Sequence, residues 1–105
     1  MNAEIILSTT PNAEVAERLA EGLVRERLAA CVNIVPKLRS IYFWEGEVQR
    51  DEEILLIIKT RAERRDALFA YLAEHHPYEV PELIALPITA GSASYLRFIE
   101  SNTIE

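Results

Sequence analysis

The chain has 105 residues, half of them hydrophobic, enough for one compact domain with a real core and too few for two. Its 17 acidic and 11 basic residues leave a net charge of −6, which argues against nucleic acid or an anionic membrane as partner, since both demand a basic face. The single cysteine, Cys31, cannot form an internal disulfide, and no apolar run has the length of a membrane span or the pattern of a secretory signal, so the expected setting is the cytoplasm.

The first predicted element is a short β-branched strand over Ile5 to Thr10. "TPN" breaks it, and Asn12 is placed to cap a helix expected to run to about Leu28. Val15, Leu19 and Leu23 line one row of that helix, and Ala16, Ala20 and Val24 the next. Glu14 with Arg18, and Glu21 with Arg25, pair on its outer face. "ACVNIVPKLRSIYFW" is a long extended run in which Pro36 removes a ladder donor and predicts a bulge or a sheet edge. Glu45 and Gly46 mark a turn, and "EEILLIIKT" reads as a central strand buried on both faces, forming an antiparallel hairpin with the run before it. "TRAE", Thr60 to Glu63, matches a capping box. The helix it opens carries Leu68, Tyr71, Leu72 and His75 on one face and ends at Pro77, while Arg61, Arg64 and Arg65 read as a solvated surface. "ELIALPI" is the last strand, and "SASYLRFIE" a closing helix with Tyr95, Leu96 and Ile99 facing inward.

This order, β-α-β-β-α-β and then α, is an α+β, ferredoxin-like split βαβ arrangement with an antiparallel sheet, in one domain over residues 1–105. Two helices cover one face of the sheet. The other face is expected to have no cover from this chain, although "IYFW" and "EEILLIIK" put apolar residues on both faces. Self-association, sheet face towards sheet face, is the simplest remedy.

The chain's two histidines, His75 and His76, stand together in "EHHPYEVPE". Neighbours on a helix point about 100° apart, so both can reach one ion only where the helix ends before Pro77. Imidazole suits Cu(II), Zn(II) and Ni(II), and Glu79 or Glu82 could add a carboxylate. The structural alternative is a histidine that serves the negative end of the helix dipole and its free carbonyls, with His75 half-buried beside Leu68 and Leu72. "PYEVP" holds Tyr78 and Glu79 rigidly, either as a pocket wall at a subunit junction or as a stiff connector. Lys59 would be an acid–base candidate if it met Glu79 and His75. Cys31 reads as a small buried hydrophobe, and Tyr42, Phe43 and Trp44 as core or interface aromatics. No Gly-rich phosphate loop, nucleophile elbow, HExxH or CxxC occurs, so no enzyme is expected.

"LAACVNI" at Leu28 to Ile34, "SIYFWEG" at Ser40 to Gly46, "IIKT" at Ile57 to Thr60, "HHPYEVPE" at His75 to Glu82, and "ALPI" with "YLRFIE" near the end come in a familiar order and spacing. Over essentially its whole length the chain resembles the CutA divalent-cation tolerance family. The resemblance implies a tight homotrimer, similar in architecture to the PII signalling proteins, cytoplasmic, and associated with tolerance to divalent cations, copper above all. It also implies a copper site built from a first-strand cysteine and the paired histidines. The histidines are His75 and His76, but Ser8 stands where the cysteine would, and a hydroxyl is a poor copper ligand. The expected protein is therefore a non-enzymatic homotrimer responding to divalent ions, with Cu2+ at His75, His76 and Glu79 and with Lys59, Tyr78 and Glu82 as cleft residues. The alternative is a PII-like signalling or scaffold module binding a small molecule or a partner protein in inter-subunit clefts. An apolar pocket rimmed by a few polar groups would favour it.

Overall fold

The computed structural model describes residues 1–104. Its elements are β1 (Ala3–Thr10), α1 (Ala13–Arg25), β2 (Cys31–Trp44), β3 (Glu47–Arg61), α2 (Ala62–His75), β4 (Ile84–Pro87) and α3 (Ala93–Ser101). The strands form one sheet in the order β2-β3-β1-β4, every pair antiparallel. This is the ferredoxin-like arrangement, with β3 and β1 at the centre.

Local chemistry accounts for most of the boundaries. Asn12 caps α1 as expected, its side chain accepting from the Val15 N–H at 2.9 Å. The helix stops at Arg25, short of Leu28. Arg27 turns into the left-handed region (φ 59), and the Leu28 N–H reaches back to the Leu23 carbonyl at 2.9 Å while Arg27 N–H bonds Val24. That is a Schellman ending with arginine where glycine is usual, so no glycine announced it. At Pro36 the ladder slips: pairing passes from Val35–Leu55 to Leu38–Glu53, with Lys37 at φ 63. The expected bulge is therefore present, and β2 is also an edge strand. Glu45 and Gly46 both take positive φ (51 and 80), the two-residue turn whose twist matches a hairpin.

The capping box at Thr60 is not used. Arg61 occupies the cap position of α2 without a side-chain bond, and Thr60 belongs to β3, its hydroxyl donating to the Leu28 carbonyl at 2.7 Å in the core. The strand runs on to the last residue before the helix, so the threonine serves the sheet.

The main core lies between the sheet and the two longer helices. Ile6 from β1 and Leu56 and Ile58 from β3 meet Ala16, Leu19 and Leu23 from α1 and Leu68 and Leu72 from α2. Gly22 lets α1 come close to α2, because a Cβ there would collide with the Tyr71 hydroxyl. Leu55 and Ile57 point to the opposite face and are only half-buried, so β3 is not sealed on both sides by this chain. Nor is that face bare: α3 packs over one end of it, burying Ile99 against Ala3 and Ala30. Arg61 secures α3 by donating to the Thr103 hydroxyl and carbonyl, each at 3.1 Å. Ile99 and half-buried Leu96 face inward as expected, whereas Tyr95 is 41% exposed. The aromatics of the β2–β3 hairpin are not core of this chain either: Phe43 is 70% exposed, and Tyr42 and Trp44 are about as open as Tyr95.

Candidate functional site

Pro77 ends α2, because its ring excludes the helical conformation from His76, which is extended (φ −78, ψ 138). The chain then runs as a connector, residues 76–83, towards β4. His76 fixes its start. The ring is buried, with Nε2 2.8 Å from the Thr9 carbonyl and Nδ1 accepting from the Tyr78 N–H at 3.1 Å. A carbonyl only accepts and an amide N–H only donates, so the ring is the neutral tautomer protonated on Nε2. Both nitrogens are thereby occupied. The Tyr78 ring tilts against that of His76, and its hydroxyl donates to Glu53 Oε2 at 2.5 Å. Burial first, and then the bond to Glu53, push the Tyr78 phenol well above its ordinary range. One histidine and one tyrosine thus pin the connector to both central strands.

Between the connector and the β2–β3 hairpin lies a half-open cavity of about 770 Å³. Its walls carry the carboxylates of Glu53, Glu79 and Glu82 and the rings of Tyr42, Trp44 and Tyr78. Glu53 is only 6% exposed, and no lysine, arginine or histidine among the described residues forms an ion pair with it. Tyr42 donates to Asp51 at the rim, and that bond and its charge raise the Tyr42 phenol.

Of the residues singled out from sequence, Tyr78, Glu79 and Glu82 meet at this cavity, and His76 lies beneath them. His75 does not join them. It is exposed, not half-buried, because its ring stacks on Tyr71 at the margin of α2 (centroids 4.1 Å apart). Its Nδ1 bonds the Tyr71 carbonyl at 2.9 Å, which leaves Nε2 with a free lone pair. Arg18 donates to the His75 carbonyl, completing the end of the helix from α1. Lys59 is six residues further along β3 than Glu53, about 20 Å at strand rise. There it pairs across the sheet with Cys31 and bonds the Asn33 side chain. Cys31 is half-buried beside the Tyr95 hydroxyl. Ser8 points away from the cavity into the helix-covered core, fully buried, its hydroxyl without a partner among the described residues.

Residues 4–102 match the family described as CutA1 divalent ion tolerance protein. The chain belongs to the CutA1 family. It is 50% identical over 101 residues to the chloroplastic protein CutA 1 of Oryza sativa, covering 96% of this chain and 57% of that one. It is 51% identical over 100 residues to the divalent-cation tolerance protein CutA of Thermus thermophilus, covering 95% and 97%. The chain therefore spans little more than half of the rice relative and nearly all of the bacterial one. The crystal structure of CutA1 from Oryza sativa superposes with a TM-score of 0.97 at 48% identity, over 100% of this chain and 96% of that one.

The described residues of this chain do not gather His75, His76 and Glu79 into one group. Among the described residues no three histidine, cysteine, aspartate or glutamate side chains are grouped to hold an ion. His76 has no lone pair to offer while it bonds Thr9 and Tyr78, and Ser8 lies in the core. No helix among the described residues is long and apolar enough to cross a membrane. Sequence reasoning missed Glu53, the most buried carboxylate of the cavity. A signal was available: alternation along β3 places Glu53 on the face of Leu55 and Ile57, where a charge is out of keeping with the apolar run.

Proposed function

We propose that this CutA1 chain acts in the response to divalent cations as a homotrimer, in a non-catalytic role, with the half-open cavity at each junction between subunits. The observation that carries this reading is the hairpin tip. Ile41 and Phe43 are 66% and 70% exposed and Val48 is 52% exposed, on the same hairpin that supplies Ile41, Tyr42 and Trp44 to the wall of an acidic cavity. Apolar groups so exposed on a chain of this size mark an association surface, and closing the cavity needs a wall that one chain does not supply. The name of the Thermus thermophilus relative, which speaks of divalent-cation tolerance, supports the role, and the single free cysteine is compatible with the cytoplasm.

Copper is the ion to test, with His75 and Glu79 as the donors one chain can offer. Calorimetric titration of metal-free protein with Cu(II), on material whose trimeric mass is established by light scattering, tests both halves of the proposal. Saturable binding at one ion per chain, lost in His75→Ala and in Glu79→Gln, supports it. A monomeric mass, or binding unaffected by either change, overturns the corresponding half. His76→Ala is not diagnostic, because it also releases the connector.

A second reading is favoured by the cavity itself. Its volume and aromatic walls match sites for small organic molecules rather than for bare ions, in keeping with a PII-like module that binds a ligand between subunits.

A further inference from the structure

We propose that the cavity takes an organic cation: an ammonium or guanidinium group carried on an apolar or aromatic body. This inference rests on the second reading above and names its ligand class. Three carboxylates, Glu53, Glu79 and Glu82, line the cavity, and no lysine, arginine or histidine is among the described residues that form its walls. Glu53 is the decisive member. A carboxylate that is 94% withdrawn from solvent ordinarily has a cationic partner. Here its one side-chain donor is the neutral Tyr78 hydroxyl. Its carboxylate is held and oriented, and among the described residues of one chain it has no counter-charge.

The rest of the wall selects the kind of counter-charge. Tyr42, Trp44 and Tyr78 present aromatic rings, whose faces attract cations and also pack against apolar groups. A hydrated metal ion uses neither property. It wants several oxygen or nitrogen donors converging on one point, and no such group of three occurs among the described residues. About 770 Å³ is far more room than a single ion occupies and ample for a molecule of amino-acid size. An anionic ligand would meet three like charges.

Trp44 is the chain's only tryptophan and lies in the wall, so its emission reports on the site. The experiment titrates the full chain, in its native assembly, with phenethylammonium, with 3-phenylpropionate as the anion of similar shape, and with Cu2+ and Mg2+ alone. The expected result is a saturable change with the ammonium, about tenfold or more tighter than with the carboxylate. Added salt weakens it, and Glu53→Gln reduces it by about tenfold or more. The Glu79→Gln/Glu82→Gln double variant, altered only on the connector, weakens it too and serves if Glu53→Gln fails to fold. Equal or tighter binding of the carboxylate overturns the cation class while leaving a small-molecule site. Metal ions that bind more tightly than the ammonium give the cavity to metal and overturn the inference. No saturable change with either organic probe at millimolar concentration overturns both the inference and the reading beneath it.

Discussion

Ser8 illustrates how one side chain can be out of step with its surroundings. It is fully buried among the apolar side chains under α1 and α2, and its Oγ has no hydrogen-bond partner among the described residues. An orphaned buried hydroxyl carries its desolvation cost without return. Ser8→Ala is therefore expected to stabilise the fold by about 1 kcal/mol, read as a rise in the denaturation midpoint. A loss of stability would mean that the hydroxyl has a partner, such as an internal water. His76 is the opposite case. Both its nitrogens and its ring face are in use, and adjacency in the sequence does not bring it to one point with His75. Sequence places the two histidines together, but helix rotation and the break at Pro77 send one into the core and the other onto Tyr71.

At the level of elements, the hairpin and the ends of the helices show what residue patterns can and cannot disclose. Pro36 and the Glu45–Gly46 pair act through their own backbones, so a reader of the sequence can place the bulge and the turn. Asn12 is equally local. The end of α1 at Arg27 and the unused cap at Thr60 depend on tertiary packing: Leu28 is drawn into the core and its carbonyl takes the Thr60 hydroxyl. No local signal records that. The hairpin tip also yields a prediction. Gly46 has φ 80, and nothing lies within 4 Å of where its Cβ would be. Gly46→Ala should therefore cost only the backbone term, about 1 kcal/mol, measured by chemical denaturation. A loss several times larger would show that the tip is packed against a neighbouring subunit.

For the whole molecule, the ferredoxin-like order was readable because strand and helix periods differ and the connections are short. The covering of the second face was not. The chain itself lays α3 over one end of that face, an arrangement that rests on Arg61 and Thr103, residues 42 positions apart. What stays open at the other end is the hairpin with its exposed apolar residues. If other subunits cover it, folding and assembly are one process, and the melting temperature should rise with protein concentration. Scanning calorimetry or circular dichroism over a hundredfold dilution checks this, and an unchanged midpoint would speak against the coupling. The cavity could not be foreseen from spacing, since its lining comes from β1, β2, β3 and the connector, and only the fold brings Thr9, Tyr42, Trp44, Glu53 and "YEVPE" together.

His76 holds the connector through the carbonyl of Thr9, not through its side chain. Every residue type has that carbonyl. The position at the cavity floor can therefore be exchanged over generations without loosening the frame above it. The shape and polarity of that floor can thus change while the connector that walls the cavity stays in place.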